Sequence, residues 1–485
     1  MKTNRYLVFL VLLTSFFILS VPLWLKIDQL PIRLWDEGRN AVNAIEMHET
    51  GDLIVRSFNH QPETYNLKPP LLTWLQSFFI STVGINELAI RLPSLLASLG
   101  TLFLVYLFVY SETKKHLYGL FGAAIIATSA GFYGEHVGRF GDHDALLVFF
   151  STLLVYAFWR YTLSEKSNWI YLAAAAVCLG VLVKSISILL FMPALLLYLL
   201  YAKKLLVLLK NPHFYVALVS ALLPIVGYYL FREYNQPGFW SLVWNDELFP
   251  RYFNKSKNLE FSQESFWYYF VLLKTQFAYW IFLLPAIIWA ILLHKEKNIF
   301  VYLLLVSGLF LIILSKGTKN FWYDAPLFPI LALLIAVAAH TIISRYIKKE
   351  RVQVAIIICL TFFPYKKAYE HALNTHEQYY DWETYGISYY LKNNKLAKTL
   401  TSNTKIVLDN TYGFEPHLFY VKKLEIEEGI KLNRKWLNQV IVNDTLLITH
   451  TSTFDSLSSK YEVKTLDSIN SYTKKLVLLK IKKEM

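Results

Sequence analysis

Trp35-Asp36-Glu37-Gly38-Arg39 sets two adjacent carboxylates and a guanidinium just after a long apolar block at 6–24. Charged groups at the edge of a membrane-length apolar segment usually have a task. A carboxylate there can orient or deprotonate an attacking hydroxyl. The residues that follow place Ala41, Ala44, Ile45 and Met47 at helical spacing, so Asp36 and Glu37 also suit the amino end of a surface helix. Capping and catalysis both fit this stretch.

A cation with a fixed address comes next, in Asn66-Leu67-Lys68-Pro69-Pro70. Two prolines start a helix and hold the preceding residue extended, which aims Lys68. A fixed ammonium near lipid headgroups can bind a phosphate as a point charge; the alternative is a lysine that snorkels to the membrane surface. Further on, Arg139 precedes Asp142-His143-Asp144. Carboxylates flanking a histidine could take a divalent cation, although consecutive helical positions diverge and would not easily share one ion. His143 and Glu247 are the candidate metal ligands. Other polar residues at apparent span ends are Lys184, Asp246, Arg251, Lys316, Lys319 and Tyr323.

The elements that must position these groups are set by composition. The 485 residues are 55% hydrophobic, 16% aromatic and only 17% charged. Apolar residues gather in blocks near the roughly 17–25 residues that cross a bilayer as a helix. The blocks are 6–24, 88–110, 117–133, 145–161, 169–183, 186–201, 214–231, 266–293, 299–314, 322–343 and 352–363. They predict a mainly α, polytopic transmembrane bundle of about 11–13 spans. A shorter apolar stretch, 69–80, reads as a half-buried surface helix. The first block is too long for a signal peptide and shows no small-residue cleavage site, so it reads as an anchor. Cys178 and Cys359 both lie in apolar blocks and imply no disulfide framework. The net charge of +13 comes without a zinc finger, RNA-binding signature or basic helix, so no nucleic-acid partner is expected.

If the amino terminus is cytoplasmic, alternate loops are short and basic: Lys114–Lys115, Lys203–Lys204 with Lys210, Lys295–Lys297, and Arg345 to Arg351. That is the positive-inside pattern. The loops 26–87, 134–144, 232–265 and 315–320 then all face outward, with the chain after Phe363. Strand-like runs at 405–408, 446–448 and 475–481 alternate with polar stretches there, as in a small α/β domain. The expected division is a membrane domain, 1–365, and an extracytoplasmic domain, 366–485.

These residues together resemble a family. Asp36-Glu37-Gly38-Arg39, then Glu46 to Asp52, Lys68-Pro69-Pro70, and Asn86-Glu87 through Arg91 and Pro93 look like the bacterial GT-C glycosyltransferases. The likeness is to the lipid A aminoarabinose transferases and the protein O-mannosyltransferases. Asp144 resembles the family's second acidic element, Lys184 its Thr-Lys-Gly lysine, and Lys319 through Tyr323 its late Lys-x-x-x-Tyr stretch. Leu67 stands where the aminoarabinose enzymes tend to carry glutamate.

The resemblance implies a polyprenyl-phosphate-linked sugar as donor, and a lipid A-like lipid, glycan or protein as acceptor. The setting would be the outer face of a bacterial inner membrane. It casts Asp36 as the catalytic carboxylate with Asp144 in support. Lys68, Arg251, Lys319 and Tyr323 fall to the carrier phosphate, and Glu37, Arg39, Asp142 and Lys184 to substrate. A divalent metal is possible but not required, and direct displacement would invert the anomeric centre. Two other classes would share the spans: a flippase or transporter of a lipid-linked saccharide, and a receptor for envelope lipids. The first does not explain why the unusual polar residues gather on one side, and the second gives no role to Asp36 and Lys68 together.

Overall fold

The structure, a computed structural model, describes residues 5–253, 265–293, 297–375, 381–392, 400–401, 404–408, 414–448, 451–471 and 474–484. The apolar blocks form helices because backbone in hydrocarbon must satisfy its own hydrogen bonds. Among the described residues, six helical runs are long and apolar enough to cross a membrane: Arg5–Trp24 (α1), Glu87–Thr113, Asp144–Ser164, Ser167–Tyr201, Pro212–Asn235 and Leu327–Tyr346. The expected blocks 169–183 and 186–201 are one run of 35 residues, interrupted by a tighter 3-10 stretch Ser185–Phe191. Lys184 sits at that interruption.

The block at 266–293 is a broken pair, Tyr268–Gln276 and Ala278–Leu293, bent by 109°, which brings the count to as many as seven. Blocks 117–133 and 299–314 yield helices of 12 and 17 residues. Block 352–363 is the apolar part of Glu350–Leu373, whose last turns carry Lys366, Lys367 and Glu370. Length and composition of the described helices therefore support six or seven full spans, fewer than the apolar blocks suggested. The multipass membrane architecture stands. Its helices share one large apolar core, with Val105, Phe121, Phe132, Val148, Phe300 and Phe328 among its buried members. By contrast only 17% of the apolar window of α1 is buried, so most of its sides are left for lipid.

Over one end of the bundle lies a layer of short elements. It contains Asp36–Thr50 (α2), a short hairpin of Ser57–Phe58 (β1) and Gln61–Pro62 (β2), and the half-buried helix Leu71–Val83 (α3). Beyond it is the carboxy-terminal domain, a five-stranded mixed sheet in the order β4-β3-β5-β7-β6. The strands are Thr404–Leu408 (β3), Asn433–Trp436 (β4), Thr445–Ile448 (β5), Tyr461–Ser471 (β6) and Lys474–Glu484 (β7). Side chains alternate between the two faces of a strand. Leu446, Ile448 and Leu479 accordingly face one apolar cluster, and Ile406, Leu447 and Leu478 the other. That second cluster is continuous with Ala41, Ile45, Ile85 and Ile90, so the domain and α2 share a core. The division expected at 365/366 falls inside the helix Glu350–Leu373. The end of that helix is tied to the outer layer by Lys26, which donates to the Leu373 carbonyl at 2.6 Å.

Candidate functional site

Asp36 is the first residue of α2; the cap position is Trp35, which supplies no side-chain cap bond. Asp36, Asn40 and Asn43 recur at helical spacing and so line one face. Asn66 Nδ2 donates to Asn40 Oδ1 at 2.8 Å, and Asn43 Nδ2 donates to Glu63 Oε2 at 3.0 Å. These amides fasten the loop 63–68 along α2. Buried Arg56 completes the clamp, giving Nη2 to the Asn66 carbonyl at 2.5 Å and to that of Lys68. The result places Lys68 Nζ 3.5 Å from Asp36 Oδ1, with Asp36 about one-third exposed at 34%.

The neighbouring charges have other partners. Glu37 is buried against Arg91, with Nε to Oε1 at 2.8 Å and Nη2 to Oε2 at 2.9 Å. It also accepts from the amides of Arg33 and Gly141, at 2.7 and 2.8 Å. Burial pushes its carboxyl up, but the Arg91 charge and these bonds outweigh that and hold it below the ordinary value. Gly141 is required there, since a Cβ would meet Ile90 Cγ2 at 2.6 Å. Arg39 forks onto Glu63, at 2.9 and 2.8 Å, and lies over the Phe58 and Tyr65 rings. Burial opposes ionisation of Glu63, yet the Arg39 bonds and charge bring it down to about 2. Glu37 and Arg39, expected to meet substrate, are thus engaged in holding the layer together.

The loop 134–143 brings a second group. Asp142 is buried and accepts from His136 Nδ1 at 2.8 Å, from the His143 amide at 2.6 Å and from His143 Nδ1 at 3.1 Å. Burial raises its carboxyl, but the two imidazoles hold it well below the usual range. His136, stacked on Trp322 at 3.7 Å, is raised above its ordinary value, because Asp142, Asp36 and Asp144 outweigh the effect of burial. Burial first, then the Lys68 and Arg56 charges, lowers His143 to about 4 against the pull of Asp142. Its Nε2 has no hydrogen bond among the described residues.

A cation could be held here, but not by the ligands expected. One ligand atom each from Asp36, His136 and Asp142 lie within 4.8 Å of one another. His143 instead spends its Nδ1 on Asp142. Glu247 is buried on the separate helical stretch Val243–Phe253. An ion at the trio would need the His136–Asp142 hydrogen bond opened and its proton released.

A third group lines a cavity of about 60 Å³. Lys184 Nζ contacts both oxygens of Asp144, at 2.6 and 2.7 Å, and lies 4.7 Å over the Tyr323 ring. Leu147, Leu190, Phe310 and Leu314 form the apolar wall beneath these polar groups. A polar rim over an apolar wall is the lining an amphipathic group prefers, but at this volume the cavity holds only a small part of one. Lys319 is half-buried, giving Nζ to the Gly317 carbonyl at 3.4 Å. The side chain of Arg251 lies outside the described residues.

Sequence reasoning paired Asp36 with Lys68 in function and the structure brings them together. It missed Arg56, Glu63, His136 and the three asparagines. Of these, only Asn40 and Asn43 carry a faint signal in the sequence, through their spacing on α2.

Residues 67–229 match the family of dolichyl-phosphate-mannose-protein mannosyltransferases. A segment of 175 residues is 34% identical to an uncharacterized protein of Aquifex aeolicus (strain VF5). That match takes in 36% of this chain and 39% of the other, so the chain spans well under half of this curated relative. The whole structure is similar to ArnT from Cupriavidus metallidurans bound to undecaprenyl phosphate, with a TM-score of 0.66 and 15% identity over 96% of this chain and 97% of that one. It is also similar to the oligosaccharyltransferase AglB from Archaeoglobus fulgidus in complex with an inhibitory peptide and a dolichol-phosphate. There the TM-score is 0.50, with 13% identity over 91% of this chain and 66% of AglB. At such identities the structural likeness carries the fold alone, which is ArnT-like.

Proposed function

We propose that this chain is a membrane glycosyltransferase that moves a sugar from a polyprenyl-phosphate carrier to an acceptor of the bacterial envelope. The observation that carries the reading is the 3.5 Å approach of Lys68 to Asp36, at the junction of the apolar bundle and the outer layer. The ArnT likeness supports it, since that protein was solved with a polyprenyl phosphate bound.

The chemistry follows from the charges. The carrier's phosphate lies against Lys68, whose ammonium stabilises the negative charge that develops as the carrier departs. Asp36, freed from Lys68 by the phosphate, accepts the proton of the attacking acceptor hydroxyl. The acceptor oxygen bonds to the anomeric carbon as the bond from that carbon to the phosphate oxygen breaks. The electron pair leaves with the polyprenyl phosphate, and the anomeric centre inverts. The sugar lies over Asp36 and Lys68, and the apolar wall beside Asp144, Lys184 and Tyr323 takes part of the carrier's tail.

The site faces the periplasm in this reading. Two of the basic loops meet at the opposite end of the bundle, where Lys115 pairs with Glu350 at 2.8 Å, and basic loops favour the cytoplasm. The test is purified protein in lipid with a polyprenyl-phosphate sugar and envelope acceptors. Release of polyprenyl phosphate with a glycosylated product is expected. Movement of the intact lipid-linked sugar between leaflets, with no bond broken, would instead make the chain a flippase.

A further inference from the structure

We propose that the carboxy-terminal domain is a working part of the catalytic centre: the hydroxyls of Tyr385 and Tyr420 hold residues 32–35 in the strained shape that aims Asp36. The inference rests on the functional reading above.

Trp35 has φ 66° and ψ −125°. Side chains other than glycine's rarely tolerate this region, and such strain persists only where the surroundings over-determine it. The indole itself supplies little restraint, being 63% exposed. The restraint comes from the residues just before it. The Ile32 amide donates to Tyr420 Oη at 3.0 Å, and the Leu34 amide to Tyr385 Oη at 2.9 Å. Between them the Arg33 amide is held by Glu37, and its guanidinium lies 4.7 Å over the Tyr385 ring. After Trp35 the helix begins at once, with the Arg39 amide on the Trp35 carbonyl at 2.9 Å. The backbone is therefore gripped on both sides of one strained residue, and two of the three amide anchors before it belong to the carboxy-terminal domain.

Those anchors cannot swing freely. Tyr420 is buried and donates its own proton to Glu87, which also receives Lys392 at 3.0 Å. The domain is further keyed to α2 by Lys422, which meets Glu46 at 2.8 Å and His60 Nε2 at 3.0 Å. Tyr385 and Tyr420 touch backbone rather than reacting atoms, so they are positioning residues. If the grip is released, Trp35 relaxes and the start of α2, with Asp36, turns away from Lys68.

The experiment compares the full chain with Tyr385→Phe, Tyr420→Phe and the double variant, each keeping its ring and losing only the hydroxyl. One net hydrogen bond corresponds to about a 2- to 12-fold change. Amide hydrogen exchange over 32–36 is expected to quicken about 10- to 100-fold in the double variant, with exchange in Leu71–Val83 unchanged. Turnover should fall over a similar range while polyprenyl-phosphate affinity stays put. Adding Trp35→Gly, which removes the strain, should restore much of the turnover. Unchanged exchange over 32–36 overturns the proposal, whether or not the chain transfers sugar. So does quickened exchange with wild-type turnover. A wild-type chain that transfers no sugar defeats the functional reading and with it the catalytic part of this one, while the exchange result alone still decides whether the tyrosines hold residues 32–35.

Discussion

Lys184 and Asp144 form a bidentate ion pair at 2.6 and 2.7 Å, with both side chains almost wholly out of solvent. They come from different helices, Ser167–Lys184 and Asp144–Ser164, so the pair pins those helices together at the cavity. Removing one partner of a buried pair typically costs about 3–5 kcal/mol, because the other charge is stranded. Lys184→Met should therefore melt markedly earlier than wild type. Adding Asp144→Asn should recover most of the stability but not the turnover. Recovery of both would reduce the pair to a scaffold.

Asp36→Asn separates chemistry from helix capping. Asparagine caps about as well as aspartate, and the cap position is in any case Trp35. Loss of a general base typically costs about 10²–10⁴-fold in rate. Turnover should fall over that range with an unchanged melting point. Wild-type turnover would move the search for the base to Asp142 or Asp144.

Lys68→Ala should weaken binding of a polyprenyl-phosphate analogue. A charged hydrogen bond is worth roughly 1.5–3 kcal/mol, or about 10- to 150-fold in affinity. Titration in detergent or nanodiscs reads this directly, and equal affinity would reject the phosphate seat. Arg251→Ala, by the same resemblance-based argument, is expected to act in the same direction.

The Arg39–Glu63 fork should make stability depend on pH in the acid range. Glu63 ionises at about 2 folded against an ordinary 4.5, so as pH drops the unfolded chain takes up its proton first. The stabilisation is full above pH 4.5 and drains away as pH falls towards 2. It amounts to on the order of 3 kcal/mol for this displacement. Thermal melts of wild type and Glu63→Gln should therefore differ most near neutrality and converge by about pH 2. A constant gap would rule out Glu63 as the titrating group.

Sequence carried the membrane bundle and two charged motifs, around Asp36 and Lys68, that the fold brings to within 3.5 Å of each other, because each motif is a local pattern. Apolar runs announce helices, and a Lys-Pro-Pro sequence announces a fixed cation. Span number was less legible, since an apolar run does not say whether it ends at 12 residues or bends by 109°. The roles of Glu37 and Arg39 were hidden for a different reason. Their partners, Arg91 and Glu63, are 54 and 24 positions away, and a charged residue in sequence looks the same whether it awaits a substrate or already has a mate. His136 was invisible likewise, for its meaning depends on Trp322 from a distant loop stacking against it.

Asp36 and Glu37 are adjacent and alike in charge, yet the helix separates them by roughly 100°. One carboxylate is turned outward and the other is locked beneath Arg91. Their order is thus a spelling rather than a composition. A chain carrying Asp36→Glu together with Glu37→Asp keeps its charge, mass and helix propensity almost unchanged. Its inner carboxylate nonetheless becomes one methylene too short for a guanidinium held by the carbonyls of Ile27, Leu30 and Pro31, and its outer one a methylene too long for the place beside Lys68. Composition-matched shuffles of this dipeptide are therefore not equivalent, and a search for related chains that scores acidic residues as interchangeable will blur the order of these two.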